Sequence, residues 1–281
     1  MAEGPVLHHD MDKKIRDLLY KDYTSGHKVI ITSHTPSGLE ITSSVAHKDD
    51  AFSVGYGTQL KNENITTNIK VGVDSNKILQ HIISIIVDEP VPGLKAIFNY
   101  ILPYNRYGKI ELQYRNKYAA ISTSLITTVN PIVNFSSLFG SKYFGLGIDI
   151  SFDSASRNFI KHNAGLYWFA NCINCTSSLT LNNKGDNLTG SIFHTNKKRT
   201  YAVGSEFCGN IYSQELTLTV GLQCVLNPQT LMKVRWNNHD KVNVLIHHDV
   251  NSRTRFIVSG EMKTMDIESD VKLGLALVLK S

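Results

Sequence analysis

From about residue 28 to the end of the chain, apolar and polar side chains alternate with a period of two, and the alternation is cleanest at the C-terminus. In Val271-Lys272-Leu273-Gly274-Leu275-Ala276-Leu277-Val278-Leu279 every odd position is Val or Leu, while the even ones are Lys, Gly, Ala and Val. Successive side chains of a strand point to opposite faces, so this segment has one wholly apolar face and one small or polar face. The same parity sets Ile65, Thr67, Ile69, Val71 and Val73 against Asn64, Thr66, Asn68, Lys70 and Gly72. Ile110, Leu112 and Tyr114 oppose Lys109, Glu111, Gln113 and Arg115, and Phe144, Leu146, Ile148, Ile150 and Phe152 oppose Tyr143, Gly145, Gly147, Asp149 and Ser151. The second face repeatedly carries charge, amide, hydroxyl or glycine, a pattern that favours lipid outside and water inside. Periodicity alone leaves a soluble β-barrel or sandwich that binds a ligand or partner as the alternative.

Turn signals punctuate the pattern every ten to fifteen residues, from Pro36-Ser37-Gly38 through Asn62-Glu63-Asn64, Asn183-Lys184-Gly185-Asp186 and Asn251-Ser252 to the run from Lys263 to Glu268. Eighteen such breaks predict nineteen strands, at roughly 13 residues per strand and turn, which suits the ~9–11 residues of a tilted strand crossing a bilayer. Ahead of them lies one helical stripe, Leu7, Met11, Ile15 and Leu18, flanked by Asp10, Asp12, Lys13, Lys14, Arg16 and Asp17, and ending near Tyr23-Thr24-Ser25-Gly26. Four turns with so narrow an apolar face can dock on a wall but cannot build a core. The pattern predicts an all-β chain of nineteen strands over 27–281, a 19-stranded transmembrane β-barrel or its soluble alternative, preceded at 1–26 by an N-terminal amphipathic α-helix and hinge.

Composition changes this picture little. The chain has 281 residues, 42% of them hydrophobic and 19% charged, below the ~25% charge of typical soluble domains. The strongest apolar stretch, Ile82 to Val87, falls far short of the ~18 residues of a helical span. No secretory signal is evident at the N-terminus, which argues against export and makes the Asn-x-Ser/Thr matches at Asn64, Asn134, Asn174 and Asn187 chance. Cys172, Cys175, Cys208 and Cys224 form no disulfide framework, and Cys172-x-x-Cys175 lacks the second Cys/His pair of a metal site. The histidine pairs His8-His9 and His247-His248 read as solvated or interfacial residues. There is no Gly-x-Ser-x-Gly turn and no phosphate-binding glycine loop, so neither an enzyme nor a cofactor is expected. A net charge of +5 is scattered strand by strand, with Lys197-Lys198-Arg199 the one cluster, which does not suit nucleic-acid binding.

Several segments carry a family resemblance. Asp10 to Tyr23, Asp88-Glu89-Pro90-Val91-Pro92-Gly93-Leu94-Lys95-Ala96, Asn130-Pro131-Ile132-Val133-Asn134-Phe135-Ser136, Leu181 to Asp186 and Lys272 to Leu277 closely resemble the plant-type mitochondrial porins, the voltage-dependent anion channels. Gly93-Leu94-Lys95 is a hallmark of that family. The resemblance implies its nineteen-strand barrel in the mitochondrial outer membrane, with the first and last strands paired in parallel and the helix inside the pore. It also implies passive, voltage-dependent exchange of ATP, ADP, phosphate, organic anions and small ions. The implied partners are outer-membrane lipids, adenine nucleotides and other metabolites, further copies of the chain, and cytosolic docking proteins; other membranes are allowed as sites of residence. Lys272, Gly274, Leu277 and Leu279 resemble the sorting signal of mitochondrial barrels.

The chain also departs from the family. Asp12 stands where relatives generally have glycine, the glycine-rich hinge of animal members is replaced by Asp22-Tyr23-Thr24-Ser25-Gly26, and the fourth strand has no lipid-facing acid. Candidates for pore lining and for anion or nucleotide contact are Lys13, Arg16, Lys21, Lys70, Lys95, Lys109, Arg115, Lys233, Arg235, Arg255 and Lys272. Against them parity sets Glu40, Glu111, Asp149, Glu206, Glu261 and Asp270. The wall's small cationic surplus predicts weak anion preference, and Glu at positions 233 and 235 is expected to shift it toward cations.

Overall fold

The computed structural model describes residues 4–48, 51–74, 79–102, 107–170, 174–263 and 271–281. Its strands are β1 (Gly26–His34), β2 (Leu39–Lys48), β3 (Ala51–Asn62), β4 (Ile65–Asp74), β5 (Leu79–Asp88), β6 (Leu94–Leu102) and β7 (Tyr107–Arg115). They continue with β8 (Ala119–Thr127), β9 (Ile132–Gly140), β10 (Phe144–Asp153), β11 (Asn158–Ala170), β12 (Cys175–Asn182) and β13 (Asn187–Thr195). The last are β14 (Tyr201–Asn210), β15 (Leu216–Asn227), β16 (Thr230–Asn237), β17 (Lys241–Asp249), β18 (Thr254–Lys263) and β19 (Lys272–Lys280). Each strand pairs antiparallel with its chain neighbours, while β1 and β19 pair in parallel, from Gly26 against Gly274 to Thr32 against Lys280. With nineteen alternating strands the first and last run the same way, so closure has to be parallel. The result is a closed barrel without a free edge.

Parity sorts the wall into two surfaces. Every Lys, Arg, Asp and Glu of a strand whose side chain is described lies on one face, that of Lys70, Lys95, Lys233 and Arg255. The other face exposes large apolar side chains, among them Ile69, Leu112, Leu146, Leu222 and Leu275. Phe139, Phe144, Trp168 and Tyr201 cluster on that face near one end of the barrel, as an interfacial girdle does. A soluble sandwich would bury the apolar set between two sheets; here it points outward all the way round a single closed sheet, which removes that alternative.

The N-terminal segment runs along the charged, inner face. It contains a 3-10 turn at His8–Asp10 and α1 (Lys13–Leu19), separated by Met11 and Asp12. The sequence predicts one continuous helix of four turns, so the break is a correction. Its cause lies in the wall: the Asp12 carboxylate accepts hydrogen bonds from Ser178 and Ser191, leaving Asp12 outside helical geometry at φ −100°, ψ 9°. Asp favours such alternatives to the helix interior. The expected apolar stripe survives the break. Leu7, Met11, Ile15 and Leu18, joined by Leu19, are all 3% exposed or less.

Glycine makes room for that stripe. A Cβ added at Gly204 of β14 would lie 2.2 Å from Ile15 Cδ1, and one at Gly221 of β15 would lie 2.5 Å from Leu19 Cδ2. Gly147 of β10 and Gly165 of β11 do the same beneath His8 and Met11. Glycine within a strand costs conformational entropy and marks a close approach of another element; these four form a cradle for the helix. Phe193, Leu138 and Tyr167 pack at its sides.

Candidate pore lining and helix dock

The helix is fastened at both ends by side chains of the wall. At its C-terminal end Lys233 Nζ donates to the carbonyls of Asp17 at 3.0 Å and Lys21 at 3.5 Å, while Arg235 Nη1 donates to the carbonyl of Leu19 at 3.0 Å. The last carbonyls of a helix lack intrahelical partners and carry the negative end of its dipole, so two cations suit them. Arg235 also donates to Asn243 Oδ1 at 2.8 Å, and its guanidinium lies 4.9 Å from the ring centre of Tyr23 and 5.4 Å from that of Tyr20. Tyr20 Oη donates to Glu206 at 2.6 Å. Burial, reinforced by Glu206, pushes the Tyr20 hydroxyl up to about 12, and burial does the same for Tyr23, so both stay protonated at physiological pH.

The N-terminal end rests on other strands. Asp10 pairs with Arg115 at 3.1 Å, and Asp12 takes the two wall serines. His8 lies over Gly147 and Gly165 with Nε2 buried and unpartnered among the described residues. Burial holds it below its ordinary value of 6.5, against the opposing pull of Asp149. Of the helical candidates, Lys13 and Lys21 are exposed toward the lumen, and Arg16 donates back to the carbonyl of His9.

Four cations of the remaining wall have an acid beside them. Lys95 pairs with Asp88 at 2.9 Å, Lys109 with Glu111 at 2.7 Å, Lys161 with Asp149 at 2.5 Å and Arg255 with Asp249 at 2.5 Å. Lys70 differs. Together with Lys28, Glu40 and the polar side chains of Thr42, Gln59 and Asn68 it lines an open cavity of about 450 Å³ on the part of the wall that the helix leaves bare. Neither Lys28 nor Lys70 has an acid within 4 Å among the described residues.

The two short motifs acquire structural reasons. Gly93 sits at φ +80° in the turn before β6, where a Cβ would meet the carbonyl oxygen of Arg115 at 2.2 Å. Leu94 points outward and Lys95 inward. In β19 Lys272 faces the lumen, Leu277 and Leu279 face outward, and a Cβ at Gly274 would collide with the carbonyl oxygen of Thr24, where the N-terminal segment crosses the closing strand.

Several lining residues were not among the sequence candidates: Lys14, Lys28, Lys161, Asp88 and Asp249. The signal for the strand residues is the same two-residue parity, followed through β1, β5, β11 and β17. In β11 a register shift opposite Ser151 and Phe152 blurs it. Asp270 and Cys172 lie outside the described residues; Cys175 opens β12 on the outward face opposite His194. Among the described residues no group of three His, Cys, Asp or Glu side chains is placed to hold a metal ion.

Comparison with known proteins adds the relatives. A family model described as eukaryotic porin matches residues 4–274. The chain is 47% identical over 281 residues to a mitochondrial outer membrane protein porin of 34 kDa from Solanum tuberosum and 45% identical to the 36 kDa one, with all of each chain covered. It is also 43% identical, again over the whole of both chains, to an outer plastidial membrane protein porin of Pisum sativum.

Proposed function

The chain belongs to the eukaryotic porin family, and on that premise we propose that it is a voltage-dependent, weakly anion-selective channel of the mitochondrial outer membrane. ATP, ADP, phosphate, organic anions and small ions would pass through it passively, without catalysis. The observation that carries this reading is the sorting of the wall: the described strand charges lie inside and the apolar side chains stand outside, around a barrel that closes on itself. Residues 27–281 serve as the conducting wall and 1–26 as the element that moves. Lys70, Lys95, Lys109, Arg115, Arg255 and Lys272, with Lys13, Arg16 and Lys21 of the helix, bias passing anions. Lys272, Gly274, Leu277 and Leu279 serve as the membrane-sorting signal.

Selectivity is weak for two reasons. Ion pairs neutralise many of the wall's lysines and arginines, and in a wide aqueous pore salt screens a charge beyond about 8 Å at physiological ionic strength. Single-channel recording of the full-length protein in a planar bilayer tests the reading. Stepwise conductance that falls at high voltage of either sign, with a reversal potential slightly on the anion side, is expected; a protein extracted by carbonate and silent in bilayers contradicts it. Relatives named as plastidial porins support a second residence, the plastid outer membrane, which imaging of the tagged chain in plant cells decides.

A further inference from the structure

The bare side of the lumen carries a second patch of inward glycine. Gly55 and Gly57 of β3 and Gly72 of β4 share the parity of Lys70, Gly55 pairing with Gly72 and Gly57 with Lys70. They floor the cavity of about 450 Å³ between β1 and β5. A Cβ at Gly57 or Gly72 would meet nothing closer than 3.7 Å, and one at Gly55 would crowd only the tip of the Ser44 side chain, with Oγ at 2.7 Å. Beneath the helix, the same addition runs into Ile15 at Gly204 and into Leu19 at Gly221. Glycine in a strand gives up side-chain packing and marks a place where another element comes close. Over β3 and β4 no element of the chain does so among the described residues.

The surroundings of the patch repeat those of the helix dock. The lumen face of a wide barrel is normally polar, yet Ile30 of β1 and Ile82 of β5 flank the glycines. Ile82 with Ile101 and Ile86 with Ile97 carry the apolar surface on as inward cross-strand pairs of β5 and β6. Phe193, Leu138 and Tyr167 stand in the same relation to the present dock. Thr42 and Ser44 line the cavity with hydroxyls, as Ser178 and Ser191 do beneath Asp12. Lys28 and Lys70 supply ammonium groups at its side, as Lys233 and Arg235 supply donors to the last carbonyls of α1.

The tether reaches both places. It leaves the wall at Gly26, whose φ of +103° glycine adopts far more readily than other residues, and residues 20–25 join that glycine to the end of α1. Counted from β1, the present dock on β15 and β16 is five and four strands away in one direction; the glycines of β3 and β4 are two and three strands away in the other. Strands lie about 4.8 Å apart, so a segment that spans the first distance, roughly 19–24 Å, spans the second, roughly 10–14 Å, by pivoting at its base.

We propose that the glycine patch of β3 and β4 is a second dock for the chain's own N-terminal helix, which exchanges between two seats on either side of β1. The proposal rests on the channel reading, in which residues 1–26 move, and names where they go. In the second seat the apolar stripe lies over Gly55, Gly57 and Gly72, with Lys28 and Lys70 available to the helix's last carbonyls. Lys28 and Lys70 are then covered, and Lys233 and Arg235 are returned to water. The two seats therefore differ in which cations a passing ion meets.

Disulfide trapping in full-length protein in lipid nanodiscs, its four cysteines replaced by serine, tests this. Thr42 is the inward partner of Gly57, so Leu18→Cys with Thr42→Cys reads the second seat, and Leu18→Cys with Gly221→Cys reads the present one. Under copper–phenanthroline oxidation both disulfides should form, the 18–42 bond more slowly, as peptide mass spectrometry follows. Lys233→Gln loosens the present clamp and should speed the 18–42 bond about tenfold or more, given what a hydrogen bond to a charged group is worth. Gly57→Val with Gly72→Val fills the hollow with side chains that strands accept and should slow it at least about tenfold while leaving the 18–221 bond unchanged. Lys28→Gln with Lys70→Gln, which leaves the glycine floor as it is, should slow it in the same direction. No 18–42 bond even in Lys233→Gln overturns the proposal. So does a rate untouched by the valines, which would mean a helix swinging free without a second seat. Bilayer recording of the same samples reports on the channel reading separately: the trapping pattern retained in protein that passes no ions supports the dock and overturns the channel.

Discussion

A lysine only 7% exposed in the wall of a water-filled pore needs a reason to be dry, and at Lys233 the reason is the helix above it. Its ammonium takes two backbone carbonyls in place of water, so its first effect is on helix position and only its second on passing ions. Lys233→Gln should weaken helix docking by about 1.5–3 kcal/mol, the usual worth of hydrogen bonds to a charged group. Arg235→Gln should cost less, because that side chain is half-exposed and water screens it. Hydrogen exchange over residues 13–19 measures both, and unchanged protection in Lys233→Gln would count against the clamp. For the same reason, Glu at 233 and 235 is expected to release the helix as well as reverse charge, which makes that pair a poor test of selectivity. His8 provides a pH dependence. Its value is lowered in the docked state, so docking is at full strength above 6.5 and weakens as pH falls below it, where the free imidazole takes up a proton that the buried one resists. Channel noise should therefore rise between pH 7.5 and 5.5, and His8→Phe should flatten that dependence.

At the scale of the element, α1 is seven residues long and would not persist alone in water. Its stability comes from the wall: apolar side chains lowered onto a glycine cradle, wall cations on its last carbonyls, and Asp12 tied to β12 and β13. Removing the cradle should therefore dislodge the helix without harming the barrel. Gly204→Val with Gly221→Val should leave membrane insertion and heat-resistant β-structure intact while raising open-state noise and altering voltage dependence. Deletion of residues 1–20 should do the same, because no strand of the closed sheet is touched. Loss of insertion in either variant, seen by carbonate extraction, would show that the helix is needed to build the barrel.

For the whole molecule, what matters is how charge is distributed around the lumen. The helix covers one side, where it hides Lys233, and the opposite side between β1 and β5 leaves Lys28 and Lys70 facing water without acids beside them. Lys28→Glu with Lys70→Glu should shift the reversal potential toward cations, more at 0.1 M salt than at 1 M, as the screening length falls from about 10 Å to about 3 Å. Lys95→Gln should change it less, since Asp88 already offsets that charge. On the outer surface Val234→Glu should impair insertion, at a cost below the ~2–4 kcal/mol of a basic residue at the bilayer midplane. No shift in the first variant, or easy insertion of the last, would reverse the assignment of inside and outside.

What the sequence determined by itself is what depends on near neighbours. Period-two alternation is a local property of the strand, so the strands, the inward parity of Lys70, Lys109 and Arg235 and the apolar stripe from Leu7 to Leu18 are legible along the chain, whereas the transmembrane barrel was legible only through the family resemblance. The tertiary structure alone decided whatever depends on groups brought together by closure. Asp12 breaks the helix because its serine partners, 166 and 179 residues away, arrive only when β12 and β13 pass beneath it. Lys233 is dry and Lys70 is wet although parity treats them alike, because the helix lies over β13 to β16 and leaves β1 to β5 bare. Gly204, Gly221 and Gly274 look like any small inward residues until the N-terminal segment crosses them. Alternation follows from backbone geometry, whereas charge pairing and helix position follow from distances that exist only after β1 meets β19.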